Sequence, residues 1–152
     1  MPRAGSNFSV ILSQIRSKAA GDCAGVVALM RAGAGDVEVQ RKGCEAIKVL
    51  ARNADNRVTI AEAGGIQAVV DAMEQHKDVA VVQEKGCSAL QNLTHNNDDN
   101  QVTMAGAGGI RAVVDAMEQH EDVAKVQRLG CNALSNLARY GKKKHIYIES
   151  IR

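Results

Sequence analysis

An all-α solenoid of stacked helical units is the fold that this 152-residue sequence predicts, and three observations predict it. The chain is self-similar: residues 56–99 align without a gap on residues 100–143, with 28 of the 44 positions identical. A period of that size marks a repeat architecture. Within each unit the apolar residues recur at spacings of three and four, the period of a helix face. Pro2 is the sole proline, so nothing in the repeated region breaks a helix by removing a backbone donor.

The elements follow in order. Phe8, Ile11, Leu12 and Ile15 lie at helical spacing and predict an opening amphipathic helix that covers the first unit. The same segment holds Arg3, Arg16, Lys18 and several serines with no acid before Asp22, a faint likeness to an organelle-import leader and the minor reading of it. A first unit, about 13–55, aligns less closely at an offset of 43: Val39-Gln40, Gly43-Cys44 and Leu50-Ala51 match Val82-Gln83, Gly86-Cys87 and Leu93-Thr94. Units two and three span 56–99 and 100–143, all within one domain of 152 residues. In the second unit a short helix over 56–63 opens on Asn56, a capping residue type, and Gly64-Gly65 ends it. A second helix over 66–76 carries Ile66, Val69, Val70 and Met73 on one stripe. Asp78 is the expected cap of a third helix over 79–94, whose apolar side is Val82, Cys87, Ala89, Leu90 and Leu93; the polar run 94–99 reads as the closing loop. Gly43, Gly86 and Gly130 fall inside third helices, where glycine costs roughly 1 kcal/mol against alanine, and that repeated cost predicts a helix crossing close to each. One unit cannot bury its own apolar face, and three stacked units are about the minimum for stability. Residues 144–152 read as a partial fourth unit or a C-terminal cap, because 145–152 align with the start of a first helix.

Composition removes several kinds of function. A net charge of +2 supplies no broad field for DNA, and Phe8, Tyr140 and Tyr147 are the only aromatics on which a base could stack. Cys23, Cys44, Cys87 and Cys131 form no CxxC pair and point to a reducing compartment, cytoplasmic or nuclear. No apolar run reaches the ~18 residues of a membrane span. There is no phosphate loop, nucleophile elbow or metal motif, so the chain reads as nonenzymatic, with no cofactor and no metal. Asp71, Glu74 and His76 recur as Asp115, Glu118 and His120, but equivalent atoms on stacked helices lie roughly 8–10 Å apart, too far to share an ion. They read as an outer, solvated acidic surface. By the same spacing Cys44, Cys87 and Cys131 cannot be bridged and read as small buried thiols. The cluster Lys142-Lys143-Lys144-His145 could meet an anionic surface, and one short run is a weak signal.

Asn-Arg-Val-Thr-Ile-Ala-Glu-Ala-Gly-Gly-Ile at 56–66, the segment 79–83 and Ala89-Leu90-Gln91-Asn92-Leu93 together resemble the armadillo repeat of β-catenin and importin-α, over roughly 13–143. HEAT repeats are the nearest alternative, and the Gly-Gly bend between first and second helices favours armadillo. The resemblance implies a right-handed superhelix of three-helix repeats whose third helices line a concave groove for extended peptides. It also implies a role for Asn92 and Asn136, which match the place where armadillo repeats carry a peptide-binding asparagine; a carboxamide offers a donor and an acceptor to a peptide backbone. The first unit has Val49 there. The importin-α pattern sets a Trp four residues before that asparagine, where this chain has Glu45, Ser88 and Asn132, so the slots that clamp Lys and Arg stems are absent. The same three residues supply no stacking platform for a helical-repeat RNA reader.

Positions that drift between two nearly identical units mark what the fold leaves free. In the third helix these are Val81/Lys125, Glu84/Arg128, Lys85/Leu129, Ser88/Asn132 and Gln91/Ser135, all on one face and expected to be exposed. The predicted groove is therefore Lys42, Glu45, Lys85, Ser88, Asn92, Leu129, Asn132 and Asn136, with a protein or extended peptide as partner and no nucleic acid. Ile146, Tyr147, Ile148 and Ile151 form an expected C-terminal contact with a second copy or another subunit. The alternative is a small scaffold subunit of a larger assembly that uses its ends and convex face.

Overall fold

In a computed structural model that describes residue 13 and residues 22–144, the described chain is helical with no strand. The elements are α1 (Cys23–Ala32), α2 (Val37–Leu50), α3 (Ala54–Glu62), α4 (Gly65–Gln75), α5 (Ala80–Thr94), α6 (Asp98–Gly106), α7 (Gly109–Gln119) and α8 (Ala124–Lys144). The order short, medium, long occurs twice, as α3–α5 and α6–α8. The stripe Phe8, Ile11, Leu12 and Ile15 and the expected contact Ile146, Tyr147, Ile148 and Ile151 lie outside the described residues.

Short polar side chains set where helices begin. Asp22 accepts from the Gly25 N–H, Asp36 from those of Glu38 and Val39, Asn53 from those of Asp55 and Asn56, and Asn97 from that of Asn100. Asn56, expected to cap, is instead the third residue of α3. Its carboxamide donates back to the Leu50 carbonyl at 3.0 Å, satisfying the exposed end of α2. Asn100 repeats this with Leu93 at 2.8 Å and adds the Arg57 carbonyl at 3.1 Å. Asp78 is no cap either: Val79 holds that position without a side-chain bond, and the Asp78 carboxylate accepts from Gln119. The connection expected over 94–99 is shorter, since Thr94 closes α5 and Asp98 opens α6; the buried Thr94 hydroxyl donates to the Leu90 carbonyl at 2.7 Å.

Gly64 and Gly108 enter α4 and α7 at φ +82°, a left-handed conformation that side chains resist. The glycine after each is required by space. A Cβ on Gly65 would lie 2.9 Å from the Ile60 carbonyl oxygen, which cannot retreat.

Two layers result. The long helices α2, α5 and α8 stack side by side along their length, while α1, α4 and α7 form the second layer, touching one another far less. A cleft of about 120 Å³ opens between α1 and α4, bounded by residues that include Arg31, Ala34, Gln40 and Asp71. Ile47, Val69, Val70, Met73, Val82, Leu90 and Leu93 are fully buried between layers, at roughly 1.5–3 kcal/mol each. Met30, Met73 and Met117 seat on Gly43, Gly86 and Gly130; a Cβ on Gly86 would come 2.5 Å from Met73 Cγ. This close approach is why a helix interior keeps glycine three times.

A buried glutamine then joins the layers. Gln83 Nε2 donates to the Met73 carbonyl at 3.0 Å and the His76 carbonyl at 2.8 Å, satisfying the last turn of α4. Gln40 does this for α1 through Met30 and Gly33, and Gln127 for α7 through Met117 and His120.

At the C-terminal end the pattern changes. Helix α8 runs on to Lys144, past Ala138, the counterpart of the last residue of α5. The cap Asn97 corresponds to Gly141, so no side chain competes for the backbone to start a new helix there. Cys131 is exposed, against the expectation that it be buried like its counterparts. Cys44 is covered by α5 and Cys87 by α8, whereas no described helix lies over α8.

Candidate functional site

The long-helix face is built from a repeated set of positions: those of Val81, Glu84, Lys85, Ser88, Gln91, Asn92 and His95 and their counterparts in α2 and α8. These positions fall on the side of each long helix away from Val82, Ala89 and Leu93, which are buried. Sequence reasoning expected this face to be exposed. In α5 it is half-buried apart from the exposed His95 that follows the helix, and Ser88 is only 7% exposed, because α2 and α8 press on it from both sides. In α8, with one neighbour, Lys125, Arg128, Asn132 and Ser135 are exposed. The drift between units therefore follows a difference in cover as well as freedom from the core.

Several groove candidates are tied across the long helices. Glu45 on α2 meets Lys85 on α5 at 3.6 Å, and Glu84 on α5 meets Lys125 on α8 at 3.7 Å. Arg41 forks onto Glu38 at 2.9 and 2.7 Å, and this contact holds the Glu38 carboxyl below its ordinary value. These partly exposed pairs each contribute about 0–1 kcal/mol and serve chiefly to fix side-chain positions. Lys42 is exposed, helps lower the Glu38 carboxyl and makes no close ion pair among the described residues, and Leu129 packs partly against the core.

The two asparagines reach backward. Asn92 Nδ2 donates to the Lys48 carbonyl at 2.9 Å; Asn136 Nδ2 donates to the Gln91 carbonyl at 2.9 Å and to Thr94 Oγ1 at 3.2 Å. Each therefore links its long helix to the preceding one. Neither Oδ1 accepts a bond from another described residue, so an acceptor stays on the face in both cases. Val49, at the same position of α2, is exposed.

Other cross-unit ties had little signal in the sequence. His76 Nε2 donates to the Ala34 carbonyl at 2.8 Å and His120 Nε2 to the Lys77 carbonyl at 2.7 Å, so these repeated histidines pin one turn to the next. Arg57 donates to the carbonyls of Ala51 at 2.7 Å, Arg52 at 3.2 Å and His95 at 3.0 Å. Gln101 replaces it in the next unit, bonds Thr94 at 2.8 Å and leaves its buried Oε1 without a partner among the described residues. Repetition of His76/His120 and Gln40/Gln83/Gln127 was the available clue.

Among the described residues no cluster of His, Cys, Asp and Glu could hold a metal ion, and no helix is long and apolar enough to cross a membrane. Burial pushes the thiols of Cys44 and Cys87 up to about 12, and the Cys23 thiol also rises through burial and the adjacent Asp22. Such thiols are inert toward nucleophilic chemistry.

The family model described as LRRK2 ARM repeat matches residues 10–142. No curated protein and no solved structure matches the chain. With stacked short, medium and long helices, a Gly-Gly bend before each complete second-position helix and a family match over most of its length, the chain belongs to the LRRK2 ARM repeat family.

Proposed function

We propose that the chain is a nonenzymatic interaction module that holds an extended segment of a partner protein across the face of α2, α5 and α8. The observation that carries this reading is the pair Asn92 and Asn136. Their Nδ2 groups hold the long helices together, while each Oδ1 stays available to a backbone N–H. An extended peptide presents such groups at regular intervals whatever its side chains, which suits a row of carboxamides. Lys42, Glu45, Lys85, Leu129 and Asn132 frame the row, Glu45 and Lys85 being fixed by their mutual ion pair, while Ser88 lies buried beneath it.

The test is a selection of twelve-residue peptides from a random displayed library, followed by affinity measurements on two variants. Ser135→Trp places a large ring on the exposed face of α8; Glu74→Trp places one on the opposite layer. The reading expects binding to be lost in the first and kept in the second, and the reverse pattern overturns it.

A second reading uses the C-terminal end, through the outer side of α8 and Ile146, Tyr147, Ile148 and Ile151. It is supported by the exposure of Cys131, whose identical counterpart Cys87 is fully buried by a neighbouring helix. Sedimentation of the full chain with and without residues 145–152 separates it from the first: a monomer in both forms counts against a self-contact there.

A further inference from the structure

The second layer has two joints between units, α1 with α4 and α4 with α7, and the clefts at these joints are lined by corresponding residues, position for position. Only two lining positions change residue type: Arg31 corresponds to Glu74, and Ala34 to Lys77. Yet the first cleft holds about 120 Å³ and the second about 10 Å³. Lys77 borders the second cleft with a four-carbon stem where Ala34 offers a single methyl. A residue beside the clefts then decides how each joint is fastened. Both joints share one tie, from His76 to the Ala34 carbonyl and from His120 to the Lys77 carbonyl. The second joint adds a clasp, the Gln119 carboxamide donating to the Asp78 carboxylate. At the first joint Gly35 stands where Asp78 does, so Gln75 has no carboxylate to reach and makes no bond among the described residues.

In place of a clasp, the first joint has two opposite charges that are not paired. Arg31 on α1 reaches only the Gly64 carbonyl, at 3.4 Å, and Asp71 on α4 accepts only from Gln67 of its own helix, at 2.8 Å. Both border the open cleft. At the second joint the same positions hold Glu74 and Asp115, like charges that cannot pair. The floor of the open cleft includes Met30, Ala68 and Ala72, all buried. Closing a space of that size releases roughly four waters at ~30 Å³ each and brings apolar walls together. The narrow second cleft is the template for that closed geometry. Helices α2 and α5 pack along their length, a fixed contact about which the second layer can close.

We propose that the α1–α4 joint is a hinge, which closes when Arg31 leaves the Gly64 carbonyl for the Asp71 carboxylate, while the α4–α7 joint stays clasped by Gln119 and Asp78. An exposed ion pair biases such a balance by no more than about fivefold, so the open and closed states lie close in energy. A contact that favours either state by a modest margin shifts the population. Closure tilts α2 against α5 and leaves α5 and α8 in place, so the first unit alone is adjustable. The inference holds whether or not a peptide occupies the long-helix face.

The test measures spin-label distance distributions on the full chain carrying Cys131→Ser, since the other described cysteines are buried and do not label. Ala24→Cys/Glu74→Cys spans the first joint, and Gln67→Cys/Glu118→Cys spans the second at the corresponding positions; all four side chains are exposed. The expected result is a broad or two-component distribution across the first joint and a narrow one across the second. Gly35→Asp restores the acceptor that Gln75 lacks and should narrow the first distribution. A Cβ there meets no atom within 4 Å, so the variant has room to fold. Asp78→Gly should do the reverse and broaden the second distribution. Asp71→Ala should shrink the short-distance component of the first by up to about fivefold, and raised salt should act in the same direction. Equal widths at the two joints overturn the hinge, as does a first distribution that Gly35→Asp leaves unchanged. A short component indifferent to both Asp71→Ala and salt overturns the role given to Arg31 and Asp71.

Discussion

Replacing Gly86 with alanine sets helix propensity directly against packing. In a helix interior the substitution gains about 0.8–1 kcal/mol from propensity alone. Here the new methyl would sit 2.5 Å from Met73 Cγ and 2.7 Å from Met73 Sδ. Met73 is 1% exposed, so it has nowhere to move, and overpacking of that kind costs about 1–3 kcal/mol. Packing wins, and Gly86→Ala should lose about 1 kcal/mol net, a fall of several degrees in melting temperature. Gly130→Ala is the internal control. Its methyl would meet Met117 Sδ at 2.6 Å, but Met117 is only partly buried beside the uncovered end and can swing aside. Propensity then prevails, and Gly130→Ala should be neutral or slightly stabilising. Urea and thermal unfolding followed by circular dichroism give both numbers. On a Met73→Ala background, Gly86→Ala should become stabilising as well. A Gly86→Ala variant as stable as the parent, or equal shifts at 86 and 130, would refute the close-approach argument.

Thiol labelling of the native chain, read by intact mass, should modify Cys131 rapidly and leave Cys44 and Cys87 untouched until denaturant is added. The pH arm follows from the same burial. With folded-state thiols raised from 9.0 to about 12, stability is fully present below pH 9 and falls as pH rises from about 9 toward 12, since the unfolded chain ionises first. Cys44→Ala/Cys87→Ala should flatten that alkaline decline in urea midpoints. Gln83→Leu removes the donor shared by the Met73 and His76 carbonyls and should cost about 2–3 kcal/mol, with Gln127→Leu costing less because water reaches its half-buried site.

Self-alignment exposed the repeat, and apolar spacing exposed the helices, because both record which side of a helix meets its own unit. What lay hidden depends on the neighbouring unit. Asn56 has the right chemistry for a cap, yet Asn53 precedes it and takes that role, leaving Asn56 to reach Leu50. Ser88 has the look of a groove residue and is covered by α8, while Asn132, in the same register one unit later, is open. Cys87 and Cys131 are the same residue in the same local sequence with opposite exposure. Position within a stack, and not local pattern, decides these cases.

Amide chemical-shift mapping of the full chain, titrated with a peptide selected from the random library, tests the groove reading most directly. The expected shifts concentrate on the long helices, at Gln91, Asn92, Ser135 and Asn136 and the residues around them. Shifts concentrated on α4 and α7, around Asp71, Glu74, Asp115 and Glu118, with the long-helix face silent, would contradict it.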